Sequence, residues 1–93
     1  MAQVFNACDL YGQVYVESDP NFADYLVYVY DSEAFADLIV YEEENQLFAD
    51  RSGLWFYTDA KNFADFTVYF VNDPGMADFT IAYTNAQNFA GCR

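Results

Sequence analysis

Six aspartates recur at corresponding places along the chain, and their type and spacing make them the first candidates for chemistry. They are Asp9, Asp24, Asp37, Asp50, Asp65 and Asp78. Carboxylates at equivalent corners of a repeat protein can form a ladder of oxygen ligands for Ca²⁺. None of the six lies in a DxDxDG-like loop, however, and Asp at a strand start commonly hydrogen-bonds nearby backbone N–H groups. The sequence favours this backbone role and keeps divalent-cation binding as the alternative.

No other constellation in the sequence supports catalysis. Histidine is absent, which removes the usual general base and the commonest metal ligand. The four glycines are isolated, so there is no glycine-rich phosphate loop. A carboxylate pair could hydrolyse a glycosidic bond, but among fifteen Asp and Glu residues such pairs arise by chance. We therefore predict a non-enzymatic protein with no catalytic residue, metal or cofactor, and carboxylate-pair catalysis is only a minor alternative.

The net charge limits the possible partners. Fifteen Asp and Glu residues stand against Arg51, Lys61 and Arg93, which gives a formal charge of -12 at pH 7. Such a surface repels phosphate backbones and anionic lipid headgroups, whereas a basic protein or a cation remains possible. No apolar run approaches the roughly 20 residues that span a bilayer, and the first residues do not begin a signal-peptide pattern. We expect a monomeric, cytoplasmic protein that binds neither nucleic acid nor membrane.

Two cysteines, Cys8 and Cys92, lie near the two ends of the sequence. They are too few for a disulfide framework and lack the CxxC spacing of a zinc or redox site. One disulfide bridge and two free thiols both fit the sequence.

The aspartates belong to a repeated triplet, Phe-Ala-Asp, and the secondary structure around each copy must position them. The copies are Phe22-Ala23-Asp24, Phe35-Ala36-Asp37, Phe48-Ala49-Asp50, Phe63-Ala64-Asp65, Met76-Ala77-Asp78 and Phe89-Ala90-Gly91, with Ala7-Cys8-Asp9 as a degenerate copy. From Cys8 through each Ala the spacings are 15, 13, 13, 15, 13 and 13 residues. The longer step returns after three repeats, which indicates an internal duplication of two 41-residue halves, about 8–48 and 49–89, within one domain of residues 1–93.

Each triplet is followed by a stretch that alternates with the period of a half-buried strand. Inward-facing candidates are Tyr25/Val27/Val29, Leu38/Val40, Trp55/Tyr57, Phe66/Val68/Phe70 and Phe79/Ile81/Tyr83. Polar residues before the triplets can cap a short helical or 3₁₀ turn, namely Asp19, Ser32, Asn45, Asp59, Asp73 and Asn85. We expect the Phe or Met of each triplet to close one end of the core and the Ala to permit close backbone approach.

The order of the repeats bears on how the strands pair. An antiparallel meander is the simplest use of strands joined by short connectors, but an insertion in a meander should recur after an even number of repeats. Recurrence after three favours two intertwined or side-by-side halves, in which the neighbour of a strand can come from the other half.

The repeats resemble the septoil-knot, or seven-crossing knot, domain family of small uncharacterised bacterial proteins. Ala-Asp followed by an apolar strand centred on Val-Tyr stands at Ala23-Asp24 with Val27-Tyr28, at Ala36-Asp37 with Val40-Tyr41 and at Ala64-Asp65 with Val68-Tyr69. The similarity runs from about Val4 to the end. It implies a mainly β, ring-like coil of about seven short strands whose chain is knotted, and it implies no activity, cofactor or site. Without the resemblance, the pattern does not distinguish a knotted ring from an unknotted barrel.

The departures from the family pattern lie near the ends of the repeats. They are the two-residue insertions that contain Gly12 and Gly53, Gly91 in place of Asp, and Cys8 in place of Ala. They leave the number of strands at the chain ends open.

Two further groups could form a binding surface. On the second face of the strands lie Tyr15, Tyr28, Tyr30, Tyr41 and Tyr69. They could contact a partner or a glycan, or be covered by connectors or by the other half. Glu42, Glu43 and Glu44 form an acidic run that is typical of a solvated strand edge. The most consistent reading is a stable interaction module with an acidic surface.

Overall fold

The computed structural model describes residues 7–92 and consists of short strands that alternate with one-turn 3₁₀ helices. Val4, where the family resemblance begins, and Arg93 lie outside this range. The strands are β1 (Gly12–Val16), β2 (Tyr25–Val29), β3 (Leu38–Glu42), β4 (Leu54–Tyr57), β5 (Phe66–Phe70) and β6 (Phe79–Tyr83). The 3₁₀ helices are Ala7–Asp9, Pro20–Phe22, Glu33–Phe35, Gln46–Phe48, Lys61–Phe63, Pro74–Met76 and Gln87–Phe89.

The mainly β class with short 3₁₀ turns is confirmed, but residues 7–92 contain six strands rather than about seven. Where a seventh strand would stand, only Gly91 reaches the sheet, as an isolated antiparallel bridge to Ile39. Gly91 has a φ of +112°, a conformation that glycine adopts readily. The Gly91 N–H donates to the Ile39 carbonyl at 2.7 Å, and the Gly91 carbonyl accepts the Ile39 N–H at 2.8 Å.

The strands close into a parallel barrel in the order β1-β4-β3-β6-β2-β5. All the pairings between strands are parallel, so an antiparallel meander is wrong. Each pairing joins a strand from residues 8–48 to a strand from residues 49–89, which is the intertwined arrangement that the repeat order favours. The equivalence of the two 41-residue halves stays a prediction from the sequence.

The connections explain how the two sets of strands interleave. From β1 to β2, β2 to β3, β4 to β5 and β5 to β6 the chain passes over one intervening strand, whereas β3 and β4 are neighbours. On a ring of six positions, steps of two would return to the first position after three strands. The single short step into β4 moves the second set of strands into the gaps left by the first.

One face of every strand fills the barrel interior, as the alternation predicts. At the centre of each strand one inward side chain has no solvent exposure: Val14, Val27, Val40, Trp55, Val68 and Ile81. Phe66 and Phe79, the first residues of β5 and β6, lie edge-to-face with the indole of Trp55 at 5.2 and 6.3 Å between ring centroids. Burial of each such aliphatic or aromatic side chain stabilises the folded chain by roughly 1.5–3 kcal/mol.

The connectors cover the outer wall of the barrel. The 3₁₀ helices Pro20–Phe22 and Glu33–Phe35 pack on β5 and β6, the strands that their connectors cross. Ala36, Ile39 and Ala82 form a second, smaller core between wall and connector. Apolar burial on both faces is expected of parallel strands that crossover connections cover.

The triplet phenylalanines do not close the core, which corrects the sequence prediction. The exposed fractions of Phe22, Phe35, Phe48, Phe63, Met76 and Phe89 lie between 56% and 71%. Tyr25, Phe66 and Phe79 begin the strands that follow three of these triplets, and their rings pack against each other. Because these strand residues already fill that end of the core, the triplet side chain turns to solvent. Among the triplet alanines, Ala36 and Ala49 are buried against the protein, and the other four are half-buried.

Two predicted caps and one predicted core residue are also wrong. Asp19, Ser32, Asn45 and Asp73 cap their 3₁₀ turns through side-chain oxygens, and Pro20 and Pro74 follow two of these caps. Asp59 and Asn85 do not cap, because the cap positions there are Ala60 and Ala86. The Thr58 and Thr84 hydroxyls accept the N–H groups of those alanines. Tyr83, expected in the core, is 42% exposed at the end of β6.

A disulfide joins Cys8 to Cys92, so the bridged alternative holds. Their Cα atoms are 5.3 Å apart, and 84 positions separate them in the sequence. The bridge ties the first 3₁₀ helix to the residue after Gly91 and thereby closes most of the chain into one covalent loop.

We expect reduction of this disulfide to lower the free energy of unfolding by about 2–4 kcal/mol, since a bridge over a long loop restricts the unfolded chain. Denaturant unfolding with and without dithiothreitol measures the loss. The double variant Cys8→Ser/Cys92→Ser is the control and should unfold at the same midpoint in both conditions. An unchanged wild-type midpoint after reduction would show that sheet pairing alone holds the chain ends.

Candidate functional site

Four of the six recurrent aspartates clamp the start of one strand onto its neighbour. In each case the Asp N–H donates to a carbonyl across the seam, and the Asp carboxylate accepts the N–H of that same residue. Asp24 pairs in this way with Thr67 at 3.1 and 2.9 Å, and Asp65 with Gln13 at 2.7 and 2.8 Å. Asp37 pairs likewise with Thr80, and Asp78 with Leu26.

These clamps give the recurrent Asp a structural reason. Just before a parallel strand begins, the neighbouring strand has a backbone N–H that finds no carbonyl acceptor in the incoming chain. The Asp carboxylate supplies the missing acceptor, and hydrogen bonds to a charged group are stronger than neutral ones. The backbone role is therefore correct, but the partner is 43 or 52 positions away rather than nearby in sequence.

The two remaining aspartates, Asp9 and Asp50, accept no hydrogen bond from any residue in the range 7–92. Both stand in the repeats that carry the glycine insertions, before Gly12 and Gly53. A Cβ at Gly12 would collide with the Asp65 carboxylate, and one at Gly53 with the backbone of Gly91. Both glycines have positive φ and admit a close approach that no other residue would permit.

The clamps do not gather the aspartates into a metal centre. Within residues 7–92 no group of three or more His, Cys, Asp or Glu side chains could hold a metal ion. The calcium alternative stays a prediction, and four of its six carboxylates already bind backbone N–H groups.

We expect Asp37→Ala to lower the free energy of unfolding by about 1–3 kcal/mol, because it leaves the part-buried N–H of Thr80 without its charged acceptor. Asp50→Ala, at an aspartate without such a bond, is the matched control and should change stability little. Urea unfolding in EDTA and in millimolar calcium measures both variants. A loss for Asp37→Ala that occurs only in calcium would contradict the clamp and support a cation site.

The corners of the barrel carry the exposed apolar surface. At every corner the triplet Phe or Met points outward. At four corners the Asp turns sideways into its clamp, whereas Asp50 forms no clamp and Gly91 replaces the last Asp. Leu47 adds a further side chain that is 75% exposed. Sequence reasoning missed this surface because it assigned the rings to the core. A signal was present: most of the rings stand between acidic residues, as Phe35 does between Glu33 and Asp37.

One corner binds an ammonium group within the chain itself. Lys61 Nζ lies 2.5 Å from a carboxylate oxygen of Glu17 and 5.7 Å from the ring centroid of Phe22. Glu17 is buried, and the hydrogen bond to its carboxylate raises the pKa of Lys61. A ring, a carboxylate and an ammonium thus form one site on the outside of the barrel.

The second-face tyrosines are partly covered by the rest of the protein. Tyr15, Tyr28, Tyr30, Tyr41 and Tyr69 are all half-buried. Tyr28 and Tyr30 lie edge-to-face at 4.9 Å, and the Tyr30 ring lies 5.9 Å from that of Phe35. Each of these tyrosines therefore packs against the protein and still presents part of its surface.

The run of three glutamates is not a uniform solvated edge. Glu42 and Glu44 are exposed, whereas Glu43 is only 8% exposed and accepts a hydrogen bond from the side-chain amide of Gln87. The middle residue faces the connector that follows β6.

Two tyrosine hydroxyls meet beside this run. The oxygens of Tyr57 and Tyr83 are 2.6 Å apart. Burial raises the pKa of Tyr57 far above its usual value, and the neighbouring Tyr83 and Glu42 act in the same direction. Burial also raises the pKa of Tyr83, although its hydrogen bond with Tyr57 opposes this. Neither hydroxyl is therefore suited to act as a nucleophile or base near neutral pH.

The raised pKa of Tyr57 makes the free energy of unfolding decrease at alkaline pH. Its pKa is higher in the folded than in the unfolded chain, where it is about 10. The contribution of protonated Tyr57 to the free energy of unfolding is therefore complete below about pH 10. It is lost above that pH, because the Tyr57 hydroxyl of the unfolded chain releases its proton while that of the folded chain keeps it. We expect Tyr57→Phe to make the decline of unfolding free energy between about pH 9 and pH 11 shallower, as measured by urea unfolding. An equal decline in wild type and variant would assign the alkaline sensitivity to other groups.

None of the helices within residues 7–92 is long and apolar enough to span a membrane.

The comparisons with known proteins agree with the geometry. The family model described as the 7(1) septoil knot domain matches residues 7–93, which confirms the resemblance read from the repeats. No curated protein and no solved structure matches the chain. The match covers both sets of strands, all the clamps and the exposed corners, and the chain therefore belongs to the septoil knot domain family.

Proposed function

We propose that this septoil knot domain is a non-enzymatic interaction module that binds a basic, partly apolar protein segment through its exposed corners. The observation that carries the proposal is the outward orientation of six large apolar side chains, each more than half exposed. Contiguous exposed apolar surface with a polar surround is typical of interaction sites, and the exposed ring of Phe35 is continuous with those of Tyr30 and Tyr28.

The charge distribution favours a basic partner. The formal charge is -12, and Lys61 and Glu17 form the one ion pair among residues 7–92. The other carboxylates at the corners have no ionic partner there. Positively charged segments would be steered toward this surface, while acidic proteins, nucleic acids and further copies of the chain would be repelled. The same repulsion supports a monomer.

Three features support a non-catalytic role. The chain has no histidine, and both of its cysteines are consumed by the disulfide. The raised pKa of Tyr57 keeps its hydroxyl protonated at neutral pH.

Two further properties remain proposals. The family description and the interleaved strand order support a knotted backbone, in which the second set of strands passes between the strands of the first. A cytoplasmic location stays a prediction, and the Cys8–Cys92 bridge weighs against it, because structural disulfides persist mainly in oxidising compartments.

A pair of designed peptides tests the proposed partner class. We expect the protein to bind a fluorescein-labelled amphipathic lysine/leucine peptide, with weaker binding as salt rises, and to bind its glutamate/leucine counterpart at least tenfold more weakly. Fluorescence anisotropy measures both.

A corner variant links that binding to the exposed side chains. The variant with Phe22, Phe35, Phe48 and Met76 all changed to Ser should lose at least tenfold in affinity. Phe89→Ser is the control, since residues 84–92 contain no acidic side chain. Failure of wild type to bind the lysine/leucine peptide would overturn the proposed function.

A further inference from the structure

We propose that Tyr28, Tyr30 and Phe35, with the carboxylates of Asp31 and Glu33, form a recognition site for a single lysine or arginine side chain of the basic partner. This set is called the Phe35 corner below. The inference rests on the proposed function and names the point on the surface where the partner's cation binds.

The rings of the Phe35 corner form a continuous aromatic patch. Tyr28 and Tyr30 meet at an interplanar angle of 78°, and Tyr30 and Phe35 at 48°. The rings therefore do not stack flat, and the outermost, Phe35, is 71% exposed. The faces of such rings carry negative electrostatic potential and attract ammonium and guanidinium groups.

Two carboxylates are close to these rings in sequence: Asp31 follows Tyr30, and Glu33 precedes Phe35 by two positions. Asp31 and Glu33 are exposed, and neither has an ionic partner among residues 7–92. The third nearby carboxylate, Asp37, is occupied by its clamp to Thr80. A bound cation would therefore gain the ring faces and two carboxylates that nothing in the described chain neutralises.

One repeat earlier, an aromatic ring and a carboxylate of the chain bind an ammonium group. At the Phe22 corner the ring and the Glu17 carboxylate together hold the Lys61 ammonium. Thirteen positions later in the sequence, Phe35 stands in place of Phe22, Tyr30 in place of Glu17 and Pro74 in place of Lys61. The ring is kept, the carboxylate is replaced by a second ring, and the internal lysine is replaced by a residue without charge. The cation that the Phe22 corner obtains from its own chain has to come from another molecule at the Phe35 corner.

The other corners are less suited to a foreign cation. Phe22 already contacts Lys61, and Phe63 and Phe48 have Lys61 and Arg51 close by in sequence. Met76 presents no ring. Residues 84–92, around Phe89, contain no acidic side chain, and the Glu43 carboxylate that contacts this connector is buried and already accepts a hydrogen bond from Gln87. Among the corners described by the structure, the Phe35 corner alone combines an aromatic patch, acidic neighbours and no basic residue.

The probe is a fluorescein-labelled octapeptide of alternating lysine and glycine, used with the full-length protein at low salt. Its lysine-acetylated version serves as the uncharged control. Three variants separate the contributions. Phe35→Leu keeps an apolar side chain but removes the ring, Phe35→Trp restores a ring, and Phe89→Leu makes the same change where the neighbouring residues in sequence, 84–92, include no acid. Because Phe35 is largely exposed, folding should be preserved, and thermal unfolding of each variant checks this.

We expect Phe35→Leu to weaken binding of the lysine peptide about three- to tenfold, the size of an exposed to partly desolvated cation–π contact. Phe35→Trp should bind at least as tightly as wild type, and Phe89→Leu should stay within about twofold of it. The double variant Asp31→Asn/Glu33→Gln should weaken binding and flatten its salt dependence. Amide chemical-shift changes on titration with the peptide should centre on residues 28–35.

Two results would overturn the inference while leaving the proposed function intact. One is equal affinity of wild type and Phe35→Leu for the lysine peptide; the other is chemical-shift changes centred on another corner. Equal binding of the acetylated and unmodified peptides would contradict recognition of a cation. Failure of wild type to bind this peptide and the lysine/leucine peptide would reject both the site and the proposed function.

Discussion

Every strand of this barrel depends on strands from the other half of the chain for its backbone hydrogen bonds. β1, β2 and β3 never pair with one another, and neither do β4, β5 and β6. Residues 8–48 alone would therefore present the N–H and C=O groups of three strands with no sheet partner, which is costly in a buried core. The fold can be stable only when the second set of strands occupies the gaps in the first, and the rest of the structure serves this interleaving.

The three residues of the Phe-Ala-Asp triplet have separate roles in this interleaving. The Asp reaches across the seam to a strand from the other half, the Ala lets the connector approach the barrel wall, and the Phe or Met is left outside. Both seams without an aspartate clamp flank β4, the strand entered by the single short step. Near these seams the chain uses Gly53, the bridge from Gly91 to Ile39 and the Cys8–Cys92 disulfide instead.

The surface follows from the same division. The interior of the six-strand barrel is occupied by buried aliphatic side chains and a few rings, and the triplet rings lie outside it. The exposed triplet side chains are therefore apolar groups on a surface whose formal charge is -12. The Lys61 site at Phe22 shows what such a point attracts, and an acidic, aromatic exterior is the physical basis for proposing a basic partner.

The sequence by itself determined the strand positions, the inward face and the 3₁₀ turns, because these depend on local periodicity. The repeat spacing left intertwined and side-by-side halves both open. The inward alternation located residues such as Val27 and Val68, and proline after Asp19 and Asp73 located two turns. Only the tertiary structure decided the parallel direction, the strand order, the disulfide and the partner of each Asp, since contacts such as Asp24 with Thr67 join residues 43 positions apart. The orientation of Phe35 was likewise undetermined: a phenylalanine beside a turn suits a core or a surface, and the space already filled by the strand residues decides between them.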